Sequence, residues 1–539
     1  MHSKRSRVIA ILGIVLVVVL AVLIAQSGIT IKYPEKVEEA EDQTFFSDKD
    51  SLIIWYTDDA LTEYLNMVAV NYNSENENIR VIPVLKSGRE YLETISEASV
   101  SQTEMPDLYI TTNDLLEKAH LAGLADAINE PIGKEIEKAY PEVALDAITY
   151  KGEKIAYPLY YECSALLYNQ TYLENWARAT LEAEVRSELV AEEEAKKAEE
   201  PKTEEKKTDE TKKDDTNKAE DKSEDKKDSE EPEVPVDPYA EEVAARVSDS
   251  DVQKMIEDNF PTTIDKLLAF SDMYDAPEGV DSIFKWAVTD IFYNYFFISD
   301  AIDVGGKYGD DTSIIEIYNE EAIKGLQRYQ ELNQFFSINT NDVSYNGVID
   351  EFVQGKVVMT IATTDAVAML KESEAAGDIE FKYAFAPLPD INDDTDARSM
   401  SVIDVVAING YSLQKAIAND FAAYLCEADA STMYERSGKV SAISNAKFGD
   451  DDEALSVFES EYMISVPLPK MLETSNYWVN LEMLFASVWD GADANKGLKD
   501  LSEQMKLQVT GEPFTEEPIV IEEEVEEEDE IIETDTLEE

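Results

Sequence analysis

Cysteine and histidine are nearly absent from this 539-residue chain: Cys163 and Cys426 stand far apart, and His2 and His120 are the only histidines. Two distant cysteines cannot build the disulfide framework that staples small secreted domains, so two free, buried thiols are expected. No His-Cys metal cluster can be assembled from so few ligands, and neither metal nor other cofactor is expected. A Ser-His-Asp arrangement would rest on His120 alone. Basic residues are scarce too, 46 Lys and Arg against 115 Asp and Glu, for a net charge of −69. That charge repels phosphate backbones and excludes nucleic acid as a partner.

Residues Val8 to Ala25 form 18 consecutive uncharged positions rich in Val, Ile and Leu, preceded by Lys4, Arg5 and Arg7. The length is about the shortest that spans a bilayer as a helix, and the flanking charge places residues 1–7 in the cytoplasm. A cleaved leader would begin in the same way, but the only near match to its small-residue pattern is Ala25-Gln26-Ser27. An uncleaved single-pass anchor is the expectation, with residues 26–50 as a spacer and the remainder extracellular. No cysteine follows the run, which excludes a lipid-modified N-terminal cysteine.

From Ser51 the pattern becomes globular. LIIWY (52–56), IRVIPVL (79–85) and DLYIT (107–111) read as strands, and LTEYLNMVAVNYNSE between the first two has helical apolar spacing. Strands alternating with helices predict a parallel α/β sheet. Residues 182–231 differ in kind: 33 of these 50 are charged, and no large apolar residue stands between Val190 and Val234. Such a segment cannot bury enough apolar area to offset its ordering entropy, so an insertion over 175–260, disordered or a single helix, is expected. The last 28 residues, 512–539, carry 15 acidic and no basic side chains and read as a solvated tail.

Within KIAYPLYYECSALLYNQTYL, Lys154 to Leu173, one carboxylate, Glu162, is flanked by Tyr160, Tyr161 and Cys163, with no basic residue nearer in sequence than Lys154. An ionised carboxylate in an apolar core costs several kcal/mol unless paired, so Glu162 should face water, a partner or a ligand.

Several segments then line up in order. LIIWYTDDA, MPDLYITTNDLLEKAHLAGLADAI, GEKIAYPLYYECSALLYNQTYL, FPTTIDKLLAF, FVQGKVVMTIATTDAV, FKYAFAPLP and LETSNYWVNLEMLFASVWDGADANKGLKDL together resemble the extracellular solute-binding proteins of ABC importers, of the maltose and oligosaccharide type. The resemblance implies an α/β, two-lobed periplasmic-binding-protein-like fold of type II with an interlobe ligand cleft. Residues 51–158 and 400–445 would form the first lobe, and 159–174, 261–399 and 446–511 the second. It implies a monomer that binds a carbohydrate by hinge closure, hands it to an ABC-type membrane permease, and does no chemistry on it.

Carried over position by position, the resemblance assigns ligand binding to Asp59 and Asp114 on first-lobe loops and to Glu162 at the crossover. On the second lobe it assigns Asp290, Phe292 and Tyr295, with Trp478 as a stacking surface and Asp365 at the cleft. Asp59 and Asp114 also precede helical patterns, where Asp commonly caps. Carboxylates accept from sugar hydroxyls in charge-assisted bonds, and aromatic rings bury the C–H face of a pyranose. The chain departs from the family where Thr111 and Asp365 replace tryptophans and Ala60 replaces a lysine. Two stacking surfaces and one donor are thereby missing, and the resulting acidic cleft would disfavour anions. The loop DVGGKYGDD (303–311) lacks the G-x-x-x-x-G-K-[ST] spacing of a phosphate loop and reads as a turn. Two other readings compete: a glycoside hydrolase using two cleft carboxylates, and a surface interaction protein with a vestigial cleft.

Overall fold

The structure, a computed structural model, describes residues 49–128, 130–199, 237–444 and 453–521. The apolar run 8–25 lies outside the described residues, and among the described residues no helix is long and apolar enough to cross a membrane.

In chain order the strands that build the frame are β1 (Asp50–Tyr56), β2 (Ile79–Leu85), β3 (Leu108–Thr112), β4 (Tyr157–Glu162), β5 (Ser164–Asn169), β6 (Ser282–Phe284), β7 (Val357–Thr363), β8 (Tyr383–Ala386), β9 (Met400–Ile408), β10 (Val440–Ser441) and β11 (Val466–Pro467). The helices of concern are α1 (Thr62–Glu75), α2 (Gln170–Glu199), α3 (Ala240–Arg246), α4 (Asp249–Asn259), α5 (Glu453–Ile464), α6 (Tyr477–Trp489) and α7 (Ala494–Thr510).

Two sheets organise the chain. The larger has the order β10-β4-β9-β3-β1-β2, with β11 joined to β9. Its β1 and β3 are parallel, as alternating strands and helices predict. The whole sheet is not parallel, however: β9 runs antiparallel to both β3 and β4. The cause is topological, because β9 enters this sheet from the second lobe and so threads it from the opposite end. Pro83 sits in β2, at the sheet edge, where a missing N–H leaves no ladder bond unmade.

The smaller sheet has the order β8-β5-β7-β6. Every residue of β7, VVMTIAT, is buried, consistent with a strand covered on both faces. Buried side chains gather around each sheet: Ile54, Tyr64, Val405 and Phe421 at the first, and Trp286, Tyr329, Phe485 and Trp489 at the second. Trp286 and Trp489 meet edge to face at 5.4 Å, a geometry that aromatic quadrupoles favour.

The chain passes between sheets at Cys163, between β4 and β5. The crossover therefore lies later than a boundary after residue 158, and residues 159–162 belong to the first sheet. The charged insertion also departs from expectation at both ends. Trp176 and Ala177 anchor α2 in the second-lobe core, and α4 packs back on α2 through Val252 and Ile256. These apolar residues bracket the polar run; residues 200–236 of the insertion lie outside the described residues.

The start of the acidic tail is likewise docked. Glu516 accepts from Ser502 and Lys506, each at 2.5 Å, and Ile519 N donates to Tyr318 Oη at 2.9 Å. Lys506 of α7 holds the carboxylate that a pure composition argument leaves in water, and Lys499 holds the Glu516 carbonyl; residues 522–539 lie outside the described residues.

Candidate functional site

Strand ends position the first half of the site. Where β1 finishes, Asp58 turns the chain and accepts from Ala60 N at 3.0 Å, capping a short helical turn. Glu162 ends β4 and stands opposite Val402 of β9, and Asp404 two residues on pairs with Tyr160. Gly438, at φ 67°, ends the helix Ala430–Ser437 in the left-handed region that glycine adopts without strain. The reversal delivers Lys439 to the start of β10, beside β4.

Lys439 Nζ lies 2.9 Å from Glu162 Oε1 and 3.1 Å from Asp58 Oδ2, and 5.3 Å from the centre of the Tyr160 ring. Its side chain is only 17% exposed, so the pairs are shielded from solvent screening. Of water, a partner or a ligand, Glu162 faces a partner, and that partner comes from a strand 277 residues later. Loss of solvation, then repulsion from Glu162, pushes the Asp404 carboxyl up to about 8, while the Tyr160 hydroxyl donates to it. Three carboxyls and one ammonium thus share a seam.

The second half comes from the other lobe. Asp290 accepts from Phe292 N at 3.0 Å, yet burial still raises its carboxyl above the usual range. Tyr293 stacks on Tyr345 at 4.8 Å and 11°, and the Tyr345 hydroxyl donates to Asp365 Oδ1 at 2.8 Å. Phe292 packs edge-on against Tyr293 at 5.6 Å. Tyr295 is buried and meets half-buried Trp478 at 5.8 Å. Trp478 Nε1 finds no hydrogen-bond partner among the described residues. Burial raises the Glu482 carboxyl, with Asp290 adding to the effect.

One electrostatic relation ties the halves together. The Tyr293 hydroxyl is raised by burial first, then by Asp290 and Asp365 of its own lobe, and then by Glu162 of the first. Of the residues assigned from sequence, Glu162, Asp290 and Asp365 thus lie within electrostatic reach of Tyr293, Phe292 packs on Tyr293, and Tyr295 meets Trp478. Asp59 is exposed, and its neighbour Asp58 takes the place beside Glu162. Asp114 accepts from Thr112 Oγ1 at 2.5 Å, and its carboxyl is raised by burial.

Lys439, Asp404 and Tyr293 escape sequence reasoning because nothing in their local spacing marks them. Lys439 supplies, from a different element, the kind of donor that Ala60 cannot.

Cys163 and Cys426 are free and buried. Among the described residues no group of His, Cys, Asp and Glu is placed to hold a metal ion. His120 Nδ1 lies 3.0 Å from Ala125 O and its ring packs on Tyr150. The DVGGKYGDD loop is a turn with three glycines at positive φ, and Asp310 accepts from Lys151 N at 2.6 Å, joining the loop to the first lobe.

Residues 229–431 match the family model described as bacterial extracellular solute-binding protein. A maltotriose-binding protein of Pyrococcus abyssi is 33% identical over 79 residues, which is 15% of this chain and 17% of that relative. Among solved structures, a cyclo/maltodextrin-binding protein complexed with maltotetraose superposes with a TM-score of 0.61 at 17% identity, over 86% of this chain and 99% of the other. An extracellular solute-binding protein from Staphylococcus aureus in complex with maltose gives 0.61 at 15% identity, over 86% and 99%. A maltose-binding periplasmic protein from Listeria monocytogenes in complex with maltose gives 0.59 at 17%, over 87% and 100%.

Proposed function

We propose that this chain is a bacterial extracellular solute-binding protein of the maltose and oligosaccharide type, a reading that the family match and the shared fold support, and that it captures a carbohydrate between its two lobes and delivers it to an ABC-type permease. One observation carries the reading: the Glu162–Lys439 pair, 2.9 Å apart with Asp58 beside it, stands at the end of β4, where the chain leaves the first sheet for the second. A pair of that kind offers a pyranose both an acceptor and a donor, because carboxylate oxygens take hydroxyl protons and the ammonium gives its own to hydroxyl oxygens. Trp478 and Phe292 supply an apolar face beside them.

Capture includes hinge closure in this reading. A ligand touching both lobes gains contacts only when they are close, and so shifts the population toward the closed form. The residues 8–25 would hold the assembly at the membrane from outside the described region. No step of bond cleavage is assigned to any carboxylate.

A panel of maltose, maltotriose and longer glucans tests the reading by thermal shift and calorimetry on the full chain. A ligand at a hundredfold excess over Kd should stabilise the fold by about 2.7 kcal/mol. Trp478→Ala should weaken that ligand tenfold or more through loss of the ring surface. Absence of any response across mono- and oligosaccharides would defeat the proposal, and release of new reducing ends would favour hydrolysis instead.

A further inference from the structure

Away from the interlobe site, a cavity of about 940 Å³ opens between the insertion and the hinge. Its apolar walls are Ile256 of α4, Phe260, Tyr168 of β5 and Leu388, with Tyr168 and Phe260 meeting edge to face at 5.0 Å. Glu461 of α5 lines it as well and is 3% exposed. One carboxyl oxygen of Glu461 accepts from Leu388 N at 3.3 Å. The other, Oε2, is buried and has no hydrogen-bond partner among the described residues. A buried polar atom left unpaired costs roughly 1–3 kcal/mol, and a native fold that retains one invites a partner to be sought.

The mouth has a sign. Glu257, Asp390 and Asp396 line it, against a single arginine, Arg398. That guanidinium donates to Ile464 O at 2.9 Å on the same rim and lies 4.0 Å from Asp300, leaving the three carboxylates in excess. The mouth therefore repels anions. The walls exclude a heavily hydroxylated guest, since they offer rings and methyls where such a guest needs hydrogen bonds.

We propose that this cavity is a second ligand site, which takes a protonated primary amine on an apolar stem. The ammonium donates to the unpaired oxygen of Glu461, and the stem lies against Tyr168, Phe260, Ile256 and Leu388. The location gives such a ligand leverage. Pro387 and Leu388 lie on the path from β8 of the second lobe to β9 of the first, and burial first, then Glu461, push up the thiol of Cys163 at the other crossing. An occupant would bear on both passages between lobes.

The test uses the full chain and n-hexylammonium chloride, titrated by calorimetry at pH 9, where the Glu461 carboxyl has given up its proton and an alkylamine, like lysine, still keeps its own, with n-hexanol as the uncharged match. Saturable binding at one site is expected for the amine, and at least tenfold weaker binding for the alcohol. Glu461→Gln should weaken the amine by tenfold or more, while Glu162→Gln, at the interlobe site, should leave it unchanged. Thr262→Trp, at an exposed position on the rim, should abolish it and keeps the test decisive if the Glu461 variant folds poorly. No saturable binding, equal affinity for the alcohol, or binding indifferent to both cavity variants would overturn the proposal.

Discussion

Lys439→Met should destabilise the protein by about 3 kcal/mol near pH 8, because removing one partner of a shielded ion pair strands the other. Asp58, Glu162 and Asp404 would be left together without their cation. The pH dependence distinguishes this from ordinary loss of packing. In wild type the Asp404 carboxyl stands at about 8 even though Lys439 opposes the rise, so without the ammonium it ionises higher still. A carboxyl raised in the fold loses stability as pH climbs to its folded value, so the variant goes on losing stability above pH 8, where wild type has levelled. Urea denaturation at pH 8 and pH 10 should show the gap between the two proteins widening with pH. Affinity for whichever glucan binds wild type should drop by about thirtyfold or more, matching loss of a charged hydrogen bond worth roughly 2 kcal/mol or more. Equal stability of the two proteins at pH 8 would contradict the pairing.

Glu461→Gln should have the opposite sign. Burial first, and Asp390 last, push the Glu461 carboxyl up to about 8 from an ordinary 4.5, with a bond from Leu388 N opposing them. The folded chain therefore holds a proton that the unfolded chain releases between those values, and wild type loses stability as pH climbs through that window. A neutral amide cannot ionise and is spared the loss. The variant should match wild type near pH 4 and exceed it by on the order of 4 kcal/mol at pH 9, taking about 1.4 kcal/mol per pH unit. Chemical denaturation across that range checks it, and parallel profiles would show that Glu461 is not held protonated.

The strand and helix alternation that marks the first lobe is visible in the residues, because LIIWY and DLYIT are apolar runs bounded by turn chemistry. What local pattern cannot show is a strand's direction when it arrives from another lobe, hence the antiparallel β9. Glu162 announces itself by contrast with its neighbours, yet its partner Lys439 is brought close only by folding. The shift from Asp59 to Asp58 is a matter of one residue in a turn, below the precision of any spacing argument. Composition overstated the loose ends: a few apolar residues, Trp176, Val252 and Ile256, suffice to fasten the borders of the charged insertion.

Arg186 of α2 reaches Asp237 with two guanidinium donors, and Tyr239 donates to Glu193. The charged segment is thus cinched at its root, where outgoing and returning chain are already joined. Beyond such a clasp, added length costs only about 0.6 kcal/mol per doubling. The position is a natural port for grafting: a tag or a second domain spliced in beyond the Arg186–Asp237 clasp leaves both of its ends fastened.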